Sequence, residues 1–238
     1  MNAIERREQI AEGKAKKIYA TSDPKRLIFY FKDDATAFNA QKKGTIDQKG
    51  VLNNRISARM FRLLEEHGIQ THFIEQLNER EMLVRRLEII PVETVVRNIV
   101  AGSLQKRTGR PEGEDLARPI VEYYYKSDEL GDPMINDEHA MLFGWATRAE
   151  LDEIHRQALA VNDVLKPFLR ERGILLVDFK LEFGRDESGR VWLGDEICPD
   201  TCRFWDAQTR KKLDKDRFRQ DLGEVESAYQ EIDRRVGA

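Results

Sequence analysis

Ile174-Leu175-Leu176-Val177-Asp178-Phe179-Lys180-Leu181-Glu182-Phe183-Gly184 leads through Arg185-Asp186-Glu187-Ser188-Gly189-Arg190 into Val191-Trp192-Leu193-Gly194-Asp195-Glu196. From Val177 the pattern alternates with period two. Val177, Phe179, Leu181 and Phe183 fall on one side, and Asp178, Lys180 and Glu182 on the other. Such alternation marks a strand with one buried face, whose same-face residues stand about 6–7 Å apart. The other face therefore carries three charges in a row. Ser188-Gly189 reads as a two-residue hairpin loop, which sets Glu187 against Arg190 and Glu182 against Asp195. Two carboxylates with Cβ atoms about 5 Å apart repel by roughly 3 kcal/mol at an effective dielectric of about 20. A divalent cation removes that repulsion, and Mg²⁺ favours one or two carboxylates together with phosphate oxygens. Lys180, between Asp178 and Glu182, offsets part of the charge. A solvated, charge-laced strand face accounts for the same row, and the residues alone leave both readings open.

Outward from this hairpin, residues 26–32 are rich in β-formers and predict a strand. Leu52, Ile56, Met60, Leu63 and Leu64 step at helical spacing, and Gly68 suits a C-cap, so a helix is expected over 51–67. Strands are expected at 82–87 and 92–96, on either side of Pro91, and at 120–125. Residues 105–118 and 127–146, rich in Gly, Pro and charge, read as surface loops or lids. Thr147 with Glu150 forms a capping box. It opens a helix whose apolar face runs through Leu151, Ile154, Ala158, Val161 and Leu165 toward Gly173, with Pro167 expected to kink or shorten it. Phe218, Leu222, Val225, Tyr229, Ile232 and Val236 predict one amphipathic helix closing the chain. Strands mix with helices without strict alternation, which favours α+β over a doubly wound parallel sheet. The expected division is an N-terminal lobe over 1–87 and a larger lobe over 88–238, with a cleft between them.

The chain has 238 residues, 40 of them Lys or Arg and 43 Asp or Glu, for a net charge of −3. That length suits one large domain or two small lobes and buries a core without staples. Recurring hydrophobic runs argue against disorder. Balanced charge argues against nucleic-acid binding through a bulk positive field. No run approaches the ~18 apolar residues that mark a membrane span, and residues 1–8 are charged, unlike a secretory signal. Cys198 and Cys202 have no second pair to complete a zinc site and read as packing residues. His67, His72, His139 and His155 are scattered. A cytoplasmic protein with neither nucleic acid nor membrane as partner is expected.

Two further segments bear on chemistry. Glu12-Gly13-Lys14-Ala15-Lys16-Lys17-Ile18-Tyr19 places a glycine and three lysines before an apolar strand pattern. A flexible backbone with ammonium groups nearby can cover a polyphosphate, although neither a Walker A motif nor G-x-G-x-x-G is present. In Pro91-Val92-Glu93-Thr94-Val95-Val96-Arg97-Asn98-Ile99-Val100-Ala101-Gly102-Ser103, Arg97 ends a strand and Gly102-Ser103 make a turn. An arginine, a hydroxyl and a freed amide can together bind a phosphate monoester. Arg203 and Arg219 are further candidate anion clamps, and Asp200, after Pro199, is placed to orient an amine. Taken alone, each segment reads first as something plainer, the lysine stretch as a solvated basic loop and the arginine stretch as an ordinary strand end.

Taken together, the Glu12 to Tyr19 stretch, the run from Ile90 to Ser103, the run from Val177 through Asp195-Glu196 to Pro199-Asp200 and Arg203, and the ending Asp214-Lys215-Asp216-Arg217-Phe218-Arg219 resemble the SAICAR synthetase family over nearly the whole chain. The resemblance implies a two-lobed α+β fold whose N-terminal lobe is akin to kinase and ATP-grasp proteins. It implies a purine-biosynthesis ligase that joins 5-amino-4-carboxyimidazole ribonucleotide (CAIR) to L-aspartate, using ATP and Mg²⁺. Gly13, Lys14, Ala15 and Lys16 would then cover ATP phosphates, with residues 84–87, including Arg86 and Leu87, as the adenine hinge. Glu182 and Asp195 would hold the metal and Lys180 would meet the phosphates. Arg97, Ser103 and Arg203 would grip the ribonucleotide phosphate, and Asp178, Asp200 and Arg219 would position CAIR or aspartate. A homodimer or other homo-oligomer is expected. Phe38 is not general in the family, and no role is expected of Asn39 or Lys42. A small-molecule kinase on a similar lobe pair and a non-catalytic nucleotide-binding module are the alternatives.

Overall fold

The computed structural model describes residues 4–37 and 42–238, so Phe38 and Asn39 lie outside the described residues. Along the chain come β1 (Arg6–Glu12), β2 (Lys16–Thr21), β3 (Arg26–Phe31), β4 (Asp34–Ala37), β5 (Lys42–Thr45), α1 (Lys49–Glu66), β6 (Phe73–Gln76) and β7 (Glu81–Arg85). They are followed by β8 (Glu88–Ile89), β9 (Val92–Ile99), α2 (Gly102–Thr108), β10 (Asp115–Tyr125), β11 (Met134–Ile135), α3 (Asp137–Leu142) and α4 (Arg148–Glu171). The last elements are β12 (Ile174–Arg185), β13 (Val191–Gly194), β14 (Cys202–Asp206), α5 (Asp216–Arg219) and α6 (Val225–Val236).

A five-stranded sheet in the order β1-β2-β3-β7-β6 is built from the first part of the chain. A seven-stranded sheet runs β11-β10-β9-β12-β13, with β14 and β8 also paired to β12. Each paired strand runs antiparallel to its neighbour, so the fold is α+β as expected. β12 is the hub because its twelve residues pair with four partners at different points along its length. At Gly184 the link between β7 and β8 passes so close that an added Cβ would stand 2.8 Å from Leu87 Cβ and 2.9 Å from the Glu88 carbonyl. One apolar cluster runs from Phe29 and Phe31 through Leu52, Ile56 and Phe61 of α1 to Phe179, Leu181 and Phe183 of β12, and on to Ile232 and Val236 of α6. Among the described residues no helix is long and apolar enough to cross a membrane.

Several local expectations need correction. The hairpin between β12 and β13 aligns Glu182 with Gly194, Phe183 with Leu193 and Arg185 with Val191. Asp186 N donates to the Arg190 carbonyl at 3.0 Å, which leaves Glu187, Ser188 and Gly189 as a three-residue loop, with Gly189 at φ 81°. Glu182 is therefore not opposite Asp195, and Glu187 reaches Lys25 at 2.6 Å rather than Arg190. The alternation also fails at Val177. A register shift between Leu176 and Asp178 puts Leu176 in the main core and Val177 in a second cluster with Ile99, Ala101 and Trp205.

The strand bearing Arg97 continues to Ile99, and Gly102-Ser103 open α2 instead of a turn. The segments 105–118 and 127–146 are not loops throughout. They hold part of α2, the start of β10, β11 and α3, because Leu104, Tyr123 and Ala140 bury enough apolar surface to order them. The helix α4 passes Pro167 and runs to Glu171. Pro167 is exposed, and so is Asp163 one turn earlier, so the missing N–H falls on the solvent side of the helix while Phe168 and Leu169 stay buried. The closing helix begins at Val225 rather than Phe218, because Gly223 (φ 67°) and Glu224 (φ 49°) both adopt left-handed backbone.

Candidate active site

Residues from the two larger sheets, with Thr36 of the small β4-β5 ribbon, line a cavity of about 620 Å³. Its first wall is the turn between β1 and β2, where Gly13 N donates to the Lys16 carbonyl at 2.8 Å and Lys14 reaches across to Asp128 at 2.6 Å. Apolar lining comes from Ala11, Ile18, Phe29, Ile89 and Val95.

The centre is a knot of lysines and carboxylates. Lys180 Nζ lies 2.6 Å from Glu182, 3.1 Å from Asp195 and 3.3 Å from Glu93. Lys126 contacts Glu182 at 2.8 Å, and the buried Lys16 is paired with both Asp195 and Glu196. Each strand periodicity delivers one side of this knot: Asp178, Lys180 and Glu182 from β12, and Glu93, Val95 and Arg97 from β9, all line the cavity. Asp195 joins them from the end of β13, where φ of 60° turns it out of strand geometry. Burial alone would raise the Asp195 carboxyl, but the Lys16 and Lys180 ammoniums hold it well below the usual range. Next to it, burial and the Asp195 charge push Glu196 up to about 7. Burial, with Lys16 nearby, pushes His72 down to about 3, so that ring is neutral.

Glu182 and Asp195 thus share Lys180 as a partner, and the direct apposition across the hairpin that the sequence predicts is absent. Among the described residues, no three His, Cys, Asp or Glu side chains group as a ready-made metal site. Two hard oxygen donors are what Mg²⁺ takes from protein when phosphates fill other positions, so this pair suits that ion alongside a polyphosphate.

The far end of the cavity is rich in arginine. Asp178 accepts from Arg97 Nη1 at 2.8 Å and from Arg203 Nη1 at 2.9 Å. Arg97 also donates to Glu122 at 2.7 Å, Ser103 Oγ at 2.8 Å and Tyr124 Oη at 3.1 Å. Arg203 and Arg219 share Asp216, at 2.8 and 2.6 Å. Gly102, at φ 54°, lies against the Arg203 guanidinium, where a Cβ would come within 2.6 Å. Behind this end Asp200 is buried against Lys49 at 2.7 Å and Tyr229 Oη at 2.7 Å, with Lys215 at 3.7 Å. Despite burial, the Lys215 and Lys49 charges hold its carboxyl far below the usual range. Burial lowers Lys215 itself.

Of the residues singled out in sequence, Gly13, Lys14, Ala15, Lys16, Arg97, Asp178, Lys180, Glu182, Asp195, Asp200, Arg203 and Arg219 line this one cavity, whereas Arg86, Leu87 and Ser103 are outside its lining. Ser103 reaches the site through Arg97. Glu93 was legible, since it shares a strand face with Arg97 two pairs on. Lys126, Glu196 and Lys215 were not, because their places depend on turns and loops that carry no periodicity.

The family model described as SAICAR synthetase matches residues 9–236. A phosphoribosylaminoimidazole-succinocarboxamide synthase of Desulfitobacterium hafniense is 59% identical over 98% of each chain. The crystal structure of the enzyme of that name from Ehrlichia chaffeensis superposes with a TM-score of 0.95 at 48% identity, covering 97% of this chain and 99% of the other. A solved structure of a SAICAR synthetase (Type-2) in complex with ADP gives 0.93 at 54% identity, covering 95% and 96%. With its knot of lysines and carboxylates set between a glycine turn and an arginine-rich wall, the chain belongs to the SAICAR synthetase family.

Proposed function

We propose that this cavity joins CAIR to L-aspartate with ATP, giving the succinocarboxamide, ADP and phosphate. The observation that carries the reading is one continuous cavity with a glycine turn and lysines at one end, arginines at the other and lysine–carboxylate pairs between them.

A carboxylate is a poor acyl donor to an amine because its leaving group would be oxide. In the first step a CAIR carboxylate oxygen attacks the γ-phosphorus, the bond to the bridging oxygen breaks, and ADP leaves. In the second step the aspartate amine attacks the acyl carbon and loses a proton, and phosphate departs with the former carboxylate oxygen. Phosphoryl transfer of this kind needs alignment and charge neutralisation rather than a protein nucleophile. The residues meet that need. The Gly13 turn, Lys14 and Lys16 cover the triphosphate, and apolar Ile18 and Ile89 bound the space for the base near the Arg86-Leu87 link. Lys180 and Lys126, now held by carboxylates, exchange those partners for phosphate oxygens when nucleotide enters. Glu182 and Asp195 would hold Mg²⁺, which would supply neutralising charge on the phosphates. Arg97, Arg203 and Arg219 grip the ribonucleotide phosphate, with Asp178 and Asp216 setting their spacing and Ser103 steadying Arg97. Asp200 keeps Lys215 directed at a substrate carboxylate.

A division near residue 87, a cytoplasmic location and a homo-oligomer belong to the same reading. The exposed Leu130, Met134, Leu142 and Phe143 around α3 support association of copies through that side.

The test is ADP release with ATP, Mg²⁺ and CAIR, with and without L-aspartate. Sustained release only with both substrates supports the ligase. Release indifferent to aspartate would mean a kinase, and no release a binding module.

A further inference from the structure

Asp195, which bears one carboxylate of the lysine–carboxylate knot, has a strained backbone. Its φ of 60° lies in the left-handed region, which disfavours a residue carrying a side chain. That conformation is what brings the carboxylate onto Lys16 and Lys180 immediately after β13 ends at Gly194. The Asp195 carbonyl lies 3.0 Å from His72 Nε2. A carbonyl only accepts, so the ring nitrogen donates.

His72 is built to hold that bond. It is 2% exposed and outside the cavity lining. Its ring is set edge-on to Phe29, with centroids 5.3 Å apart, and to Phe61, at 5.4 Å. Its backbone is anchored as well. His72 N donates to the Leu193 carbonyl at 2.8 Å, Leu193 N to the Gln70 carbonyl at 3.3 Å, and Arg85 N to the His72 carbonyl at 2.7 Å. The segment 70–72 is therefore laced to the strand end that carries Asp195, and the imidazole secures the one peptide group that lies beyond the ladder.

We propose that His72 is a positioning residue for the nucleotide-binding centre, holding the Asp195 peptide in its left-handed turn so that the carboxylate stays aimed at the metal and phosphates. This rests on the nucleotide reading given above. A donor spent on a strained peptide bond next to a ligand acts as outer-shell contacts do, and losing such a contact costs roughly 10- to 100-fold in metal affinity or activity.

The test compares His72→Phe, which keeps an aromatic ring between Phe29 and Phe61 but has no donor, with His72→Gln, whose amide can donate to the same carbonyl. ADP binding is measured by calorimetry in MgCl₂ and in EDTA, and KM for ATP and for CAIR in the ligation assay. His72→Phe is expected to weaken ADP binding in MgCl₂ by roughly 10- to 100-fold, with a matching rise in KM for ATP. Binding in EDTA and KM for CAIR stay as in the unaltered protein, and His72→Gln recovers most of the loss. A general loosening of the fold would move all four quantities together. Should His72→Phe fail to fold, His72→Met is read against His72→Gln by the same criteria. Tight Mg²⁺-dependent ADP binding without a donor at position 72, or a glutamine variant as weak as the phenylalanine one, overturns the proposal. If the unaltered protein itself binds no ADP in MgCl₂, the nucleotide reading fails first and takes this one with it.

Discussion

Asp195 and Glu196 are adjacent carboxylates in the same buried surroundings, yet they part in opposite directions. Lys16 and Lys180 hold Asp195 ionised, whereas burial and the Asp195 charge lift Glu196 from 4.5 to about 7. Between pH 4.5 and 7 the folded chain therefore keeps a proton on Glu196 that the unfolded chain has released. Its contribution to stability is complete below pH 4.5 and is lost as pH rises toward 7. Glu196→Gln should flatten that part of the stability profile, as read from urea midpoints at a series of pH values; an unchanged slope would contradict the shift. Under the proposed function, the chemistry falls to other side chains. Glu182→Ala and Asp195→Asn should each lower kcat on the order of 100-fold or more by removing charge complementarity at the phosphates, with native secondary structure by circular dichroism and a thermal midpoint lowered by the loss of a lysine partner. Full activity in both would remove the metal assignment. Asparagine is chosen at 195 because it tolerates the left-handed backbone there.

At the scale of elements, the start of α4 shows a local signal recruited by tertiary structure. Thr147 and Glu150 form the capping box that their spacing predicts: Thr147 N donates to Glu150 Oε2 at 2.7 Å and Glu150 N to Thr147 Oγ1 at 3.2 Å. Glu150 is also the partner of Arg185 on β12, with Nη2 at 3.0 Å, so the cap pins the helix to the central strand. The Arg185 guanidinium and the Thr147 donors bring Glu150 down to about 2. Stability from this junction is present above pH 4.5 and fades as pH falls toward 2. Thr147→Ala should cost about 1 kcal/mol in urea unfolding at pH 7. Glu150→Gln should be destabilising at pH 7 and show a shallower loss between pH 4.5 and 2; equal slopes would mean that the Arg185 pair contributes little.

For the whole molecule, the continuity of the core matters more than the division into two sheets. The helix α1 lies within the first 87 residues, but its apolar face joins a cluster that includes Leu151 and Leu165 of α4 and Ile232 of α6. One cooperative unfolding transition is therefore expected, and a fragment of residues 1–87 should not fold alone. ADP with MgCl₂ at 100 times its dissociation constant should add about 2.7 kcal/mol to the stability of that single transition. Two separate transitions in calorimetry, with only one shifted by ADP, would show that the two sheets fold as independent units.

By itself the sequence determined the α+β class, the strand face carrying Asp178, Lys180 and Glu182, the cap at Thr147 and the glycine turn before Lys16. Each of these is a periodicity or a local hydrogen-bond pattern written in neighbouring residues. Tertiary structure decided the rest. A three-residue loop at Glu187, Ser188 and Gly189 shifted the hairpin by one residue, a change too small for turn chemistry to announce. Yet Asp195 and Glu182 still share one partner, because a left-handed residue turns Asp195 onto Lys180. Lys126 and Lys215 joined the cavity wall, with Lys49 behind it against Asp200, only when segments far apart in the chain came together. Long-range charge pairing of that kind leaves no spacing to read.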